Sequence, residues 1–126
     1  MKIAMTISGG NEILVPIVEG DFIRLFDTET GVFEDFANPA LQLQSGKRGA
    51  AIRWLNERKV NLLCTPPRML CELSYEAAQK EDFNYYRVEP GTSFLELKKA
   101  LADNTLEITK DLPENEIEPS FIPQVD

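Results

Sequence analysis

The sequence predicts one α/β domain in which helices flank a mixed sheet of five strands. Apolar and β-branched runs bounded by glycine, asparagine and proline fill the first part of the chain, which is typical of strands joined by turns. From residue 47 onward, apolar residues at helical spacing alternate with short apolar runs. Successive strand–helix–strand units imply right-handed parallel crossovers, so the second half should add parallel strands to a hairpin in the first half.

The first half of the chain is predicted to contribute three strands. Residues 2–8 form the first strand, which ends at a glycine-rich turn over residues 8–11. Residues 12–19 are predicted as an edge strand or an extended loop, because Pro16 cannot donate a hydrogen bond to a neighbouring strand. Residues 21–37 are predicted as a β-hairpin that ends at Asn38-Pro39.

The first helix and the strand after it are predicted over residues 47–64. Ser45 is a candidate N-cap of a helix over residues 47–59, and Ala51, Ile52 and Leu55 fall on one helical face. The apolar run over residues 60–64 follows this helix and is predicted to be a buried parallel strand.

Two further helices and one strand are predicted after residue 64. Proline is favourable in a first helical turn, so the second helix should begin near Pro67 and end near Lys80. Residues 83–88 are predicted as the next strand, and Thr92 as the cap of a third helix over residues 93–102. The expected apolar positions are Leu70, Cys71, Leu73 and Ala77 or Ala78 in the second helix, and Phe94, Leu95, Leu97 and Leu101 in the third.

Charge divides the chain into a body, residues 1–102, and an acidic C-terminal tail, residues 103–126. The net charge is −8; the tail carries seven acids and one base, which leaves −2 for the body. The tail also contains several prolines, which is typical of a segment outside the folded domain. Its apolar residues could still dock against the body or a partner; they are Leu106, Ile108, Ile117, Phe121 and Ile122.

Composition narrows the function classes. The chain has no histidine, which removes the commonest general base and metal ligand, and two cysteines, which are expected to be thiols in a cytoplasmic protein. An acidic chain without a basic face is not expected to bind nucleic acid. No apolar run approaches the roughly 18 residues of a membrane span. We therefore expect a cytoplasmic protein, and the missing histidine argues against most hydrolases.

A set of short segments within about residues 2–102 follows the order typical of a known family. The segments are the opening Met1-Lys2-Ile3-Ala4, the hairpin with its turn at 27–31, Asn38-Pro39, Arg48-Gly49-Ala50-Ala51, the strand at 60–64, Pro66-Pro67-Arg68 and Gly91-Thr92. In this order they resemble the dinitrogenase iron–molybdenum cofactor biosynthesis family, that of NifX and the C-terminal domain of NifB. The family's histidine-bearing segments correspond here to residues 15–21 and 41–47, which contain neither histidine nor cysteine.

The resemblance implies a ribonuclease-H-like fold and a role in nitrogen fixation as a carrier or accessory protein rather than as an enzyme. Members of the family bind iron–sulfur or iron–molybdenum cluster precursors, so the expected cofactor is such a cluster, or none. The expected partner is a protein or a metal cluster, and the expected state is a monomer or a weak homodimer.

Two groups of residues are candidates for such a site. Cys64 and Cys71 are candidate metal ligands, because clusters and soft metals bind thiolates and ligands bind beyond the carboxyl ends of strands; the alternative is that both are small buried apolar residues. Arg48 and Arg68 are candidate contacts to an anionic cofactor near helix N-termini; the alternative is a solvated helix face with ordinary ion pairs.

Other function classes remain open from the sequence. The chain could be a metal-free interaction or regulatory module whose acidic tail pairs with a basic partner. It could also bind a small anionic metabolite at the turn containing Arg68.

Overall fold

A mixed β-sheet forms the middle layer of the protein. The structure is a computed structural model, and it describes residues 1–119. The described strands are β1 (Lys2–Ile7), β2 (Phe22–Asp27), β3 (Phe33–Ala37), β4 (Leu62–Thr65), β5 (Asn84–Arg87) and β6 (Ile108–Thr109). The described residues also form the helices α1 (Lys47–Glu57), α2 (Glu72–Lys80) and α3 (Phe94–Ala102). None of these helices is long and apolar enough to cross a membrane.

The strand order is β3-β2-β1-β4-β5-β6. Antiparallel pairing joins β3, β2 and β1, parallel pairing joins β1, β4 and β5, and β6 is antiparallel to β5. The predicted α/β class with a mixed sheet flanked by helices is confirmed. The predicted count of five strands was wrong, because a two-residue strand from the acidic C-terminal region adds a sixth at the β5 edge.

Two core layers cover the two faces of the sheet. One lies under α1 and α2 and contains Ala51, Ile52 and Leu55, the face predicted for the first helix. The other lies under α3 and contains Phe94 and Leu97. Full burial of a large apolar side chain contributes roughly 1.5–3 kcal/mol, so each layer holds its helices firmly on the sheet.

A buried arginine joins the first hairpin to α3. Arg24 on β2 is 2% exposed, and its guanidinium forms two bonds to the Asp35 carboxylate, at 2.7 and 3.0 Å, and one to Glu12 at 3.0 Å. Its Cζ lies 3.9 Å from the ring centre of Phe33 and 4.4 Å from that of Phe94. Burial opposes the charged form, but the two carboxylates outweigh it and raise the pKa of Arg24.

Residues 12–19 form an extended loop with isolated strand bridges and a short 3-10 turn at Ile17–Glu19, which agrees with one of the two predicted alternatives. Gly20 follows this turn and lies against β1. A Cβ atom at Gly20 would be 2.7 Å from the Cβ of Thr6, which is itself 2% exposed. The side-chain amide of Asn38 donates to the carbonyls of Ile17 and Gly20, at 2.9 Å each, and fixes the loop at this distance.

The second helix begins later than predicted. Arg68 takes a positive φ of 68°, which is incompatible with a helix, so residues 66–69 form a turn and Cys71 becomes the N-cap of α2. This shift turns Leu73 to solvent, at 68% exposure, and brings Ser74 and Ala78 into the interior.

The third helix also differs in detail from its prediction. Ser93 rather than Thr92 is its N-cap, since its hydroxyl accepts from the backbone N–H of Glu96. Leu95, predicted as one of the apolar positions of this helix, is 72% exposed.

The C-terminal segment, defined as residues 105–119, runs along the body. The Glu116 carbonyl accepts from the N–H of Arg68 at 2.8 Å, and Glu118 exchanges backbone bonds with Leu70 and Glu72. Leu112 is buried and Ile117 packs against the core under α1 and α2. Leu106 packs under α3, whereas Ile108 is half exposed; Phe121 and Ile122 lie outside the described residues. A domain boundary at residue 102 stays a prediction.

Candidate functional site

A cavity of about 480 Å³ opens where the N-terminal turns of α1 and α2 meet. Its lining combines the loop and first turn of α1 with the first two turns of α2 and one residue of the C-terminal segment. The lining residues are Ser45, Gly46, Lys47, Arg48, Gly49, Cys71, Leu73, Ser74, Ala77 and Pro119.

The topology explains why two helix N-termini converge at this place. β3 and β4 both run in the direction of β1, so each ends at the same edge of the sheet. The chain leaves these two strands and enters α1 and α2 respectively. This carboxyl edge is where α/β sheets bind ligands, because backbone N–H groups at helix N-termini lack intrahelical partners.

The first turn of α1 is electropositive. Its N-cap is Gly46, at φ 67°, which offers no side-chain cap, and the turn contains no acid. Lys47 and Arg48 occupy this turn instead, where the helix dipole disfavours bases. Within residues 1–119, the Nε of Arg48 is buried without a hydrogen-bond partner. By contrast, α2 and α3 each carry a glutamate in the first turn.

Cys71 brings a thiol to this cavity. It is the half-buried N-cap of α2; its Sγ lies 3.2 Å from the hydroxyl of Ser74, and its backbone N–H donates to that hydroxyl at 2.9 Å. Sequence reasoning singled out Cys71 but missed Ser74, although the spacing of three residues in a helix is the signal that would have found it.

Cys64 lies elsewhere. It is on β4, fully buried in the core layer under α3, and does not line the cavity. Burial raises the pKa of the Cys64 thiol far above its ordinary value, which disfavours the thiolate form that binds metals. The structure therefore brings Arg48 and Cys71 to one cavity but does not add Cys64 to it.

Arg68 also lies apart from the cavity lining. It is exposed on the turn between β4 and α2, and its backbone N–H is bonded to the C-terminal segment. Of the two predicted anion contacts, Arg48 alone lines the cavity.

The described residues do not form a metal site built from several protein ligands. Among residues 1–119, no group of three or more histidine, cysteine, aspartate or glutamate side chains is placed to hold a metal ion. The cavity instead offers backbone N–H groups, two bases and one thiol. This donor set is suited to an intact anion held by hydrogen bonds and charge, with at most one sulfur contact.

Gly49, which lies in the first turn of α1 and lines the cavity, is a position where alanine should stabilise the helix. Its backbone is helical, and among residues 1–119 an added Cβ would meet only the Nη1 of Arg53, at 3.9 Å. We expect Gly49→Ala to raise the free energy of unfolding by about 0.5 kcal/mol, since alanine favours helix over glycine. Urea denaturation measures the change; a loss of stability would contradict this description of the first turn.

Solved structures similar to this fold include proteins of low sequence identity. One is the apo form of the orange protein from Desulfovibrio gigas, with 17% identity, a TM-score of 0.71, and coverage of 86% of this chain and 92% of that chain. Another is a candidate NifB protein from Thermotoga, with 16% identity, a TM-score of 0.65, and coverage of 90% and 97%. No protein-family model and no curated protein matches the sequence. At these identities the similarity concerns the fold.

Proposed function

We propose that this chain is a non-catalytic accessory protein that carries an anionic metal–sulfur cluster, an iron–sulfur or iron–molybdenum precursor, as cargo. The supporting observation is the electropositive cavity at the N-termini of α1 and α2, lined by Lys47, Arg48 and Cys71. The fold similarity to a protein named as a candidate NifB agrees with this role.

The cavity would hold the anionic cluster mainly by electrostatic attraction and hydrogen bonds. Sulfide and oxide atoms on the cluster surface would accept hydrogen bonds from the backbone N–H groups of the first turn of α1. They would also accept from the Nε of Arg48, which has no hydrogen-bond partner among residues 1–119. Cys71 is the thiol at the cavity and supplies a soft sulfur contact. Because few protein ligands are available, the cluster would remain exchangeable, which suits a carrier.

No chemical step belongs to this proposal. The chain has no histidine to act as a general base, and the thiol of Cys64 is buried in the core. Binding and release of cargo require neither.

A second candidate is a metal-free anion-binding or regulatory module. The observation that favours it is the same donor set, because the described residues offer no group of metal ligands. A small carboxylate or phosphate would use the N–H groups and Arg48 in the same way.

Anaerobic reconstitution separates the two candidates. The full chain is treated with ferrous iron and sulfide, desalted, and examined for charge-transfer absorption in the visible range. We expect a coloured wild type, and at least about tenfold less bound iron in the double variant Lys47→Gln/Arg48→Gln, since two charge-assisted contacts are lost. Cys71→Ser keeps an N-cap at α2 and should weaken retention of iron during desalting.

The matched control is Arg53→Gln, which removes an exposed base from α1 outside the cavity lining and should bind as wild type does. A colourless wild type would contradict the carrier proposal, and so would an equal loss of bound iron in the control and in the double variant. A colourless protein that binds citrate, measured by calorimetry and dependent on Arg48, would instead establish the second candidate.

A further inference from the structure

A second cavity lies on the other side of α2. It is a groove of about 630 Å³ between α2 and the C-terminal segment. Its lining residues are Glu72, Tyr75, Glu76, Gln79, Leu112, Glu114, Ile117 and Pro119. The proposed cargo site does not use it, although Pro119 also lines that site.

The two walls of the groove are fixed to each other. The phenolic oxygen of Tyr75 accepts from the backbone N–H of Leu112 at 3.0 Å, and the backbone of Glu118 is bonded to Leu70 and Glu72. Tyr75 and Ile117 are partly buried against the core, so their remaining surface gives the groove an apolar floor. The groove is therefore formed before any partner arrives, which lowers the entropy lost on binding.

The rim of the groove is acidic. Glu72 and Glu76 are four residues apart on α2, and Glu114 stands on the C-terminal segment; no lysine or arginine is among the lining residues. Like charges at this helical spacing are destabilising. Within residues 1–119, the carboxylates of Glu76 and Glu114 form no ion pair, so both are available to an outside cation.

We infer that this groove docks a basic amphipathic segment of a partner protein. Apolar side chains of the segment contact the floor at Tyr75 and Ile117, and its lysine or arginine side chains meet the three glutamates at the rim. Charge complementarity selects this occupant, because an acidic segment would face the carboxylates of Glu76 and Glu114, which form no ion pair within residues 1–119. Amphipathic helices commonly bind apolar grooves in this way. The inference does not rest on the proposed cargo site.

A synthetic peptide tests it. The probe is a fluorescently labelled helix with leucine on one face and lysine on the other, titrated with the full chain and followed by anisotropy. We expect saturable binding that weakens with salt. The triple variant Glu72→Gln/Glu76→Gln/Glu114→Gln should bind roughly tenfold more weakly, since three exposed ion pairs are lost.

Matched controls separate the groove from general attraction to an acidic protein. Glu57→Gln/Glu81→Gln/Glu107→Gln removes the same charge from exposed sites outside the lining and should keep the wild-type affinity. A peptide with serine in place of leucine tests the floor and should bind at least about tenfold more weakly. No binding, or equal weakening in both triple variants, overturns the inference.

Two further experiments test for other occupants of the groove. If the wild type dimerises by analytical ultracentrifugation and the groove variant does not, the groove belongs to a second copy and the inference fails. If the peptide binds only after residues 120–126 are removed, the occupant is this chain's own end, and the inference fails as well.

Discussion

Replacing Arg24 with alanine is expected to lower the free energy of unfolding by about 3–4 kcal/mol, as for other large deletions in a core. The side chain is 2% exposed and fills the space between β2, β3 and α3. Its removal takes away a bidentate salt bridge to Asp35, a second salt bridge to Glu12, and contacts with the rings of Phe33 and Phe94. Chemical denaturation of both proteins measures the difference.

Arg24→Met separates charge from volume. Replacing both members of a buried ion pair with apolar groups can leave stability unchanged, but Arg24→Met removes only the cation. Its partners Asp35 and Glu12 are 35% and 51% exposed, so their carboxylates can regain water. The expected loss is therefore intermediate, about 2 kcal/mol, from the charged hydrogen bonds and the contacts with the rings.

Arg87 supplies the matched control, because it pairs with Glu116 in the same two-pronged way but is 45% exposed. Arg87→Met should change stability by less than about 1 kcal/mol. An Arg24→Met protein as stable as wild type would show that the guanidinium contributes packing alone.

Replacing Gly20 with alanine is expected to lower the free energy of unfolding by about 2–3 kcal/mol. The backbone of Gly20, at φ −84°, is allowed for any residue, so strain in φ is not the cause. The added Cβ would lie 2.7 Å from the Cβ of Thr6, an atom fixed to the central strand of the sheet. Either β1 or the loop held by Asn38 must shift.

Gly49→Ala is the control for this effect, since the same methyl group there would lie 3.9 Å from the Nη1 of Arg53, an ordinary contact distance. The two glycine substitutions should therefore shift the urea midpoint in opposite directions. An unchanged midpoint for Gly20→Ala would mean that the loop moves away from β1 at little cost.

The sequence predicted the parts of the fold that depend on periodic burial. Ala51, Ile52 and Leu55 recur at helical spacing, and they face the core as expected. The start of α2 was missed because proline favours a first helical turn, whereas Arg68 takes a positive φ and its backbone N–H is bonded to Glu116, far along the chain. Propensity carries no information about such a bond.

The C-terminal segment and the site were predictable only in part, because both depend on contacts between residues far apart in the chain. β6 is two residues long, and its segment docks through backbone bonds and a few apolar side chains within an acidic stretch. Arg48 and Cys71 were chosen separately from local motifs, but their meeting at one cavity follows from the packing of α1 beside α2. The burial of Cys64 did follow from the apolar run that contains it.

Pro119 lines both cavities, one on each side of α2. Occupants of the two cavities would both contact Pro119, so binding of one can change the affinity for the other. Any such effect is reciprocal: each occupant changes the affinity for the other by the same factor. A docked segment that shifts Pro119 toward the proposed cargo site would favour release of cargo, and bound cargo would then weaken docking equally. Loss of the proposed cargo and arrival of the partner would then be coupled in one equilibrium.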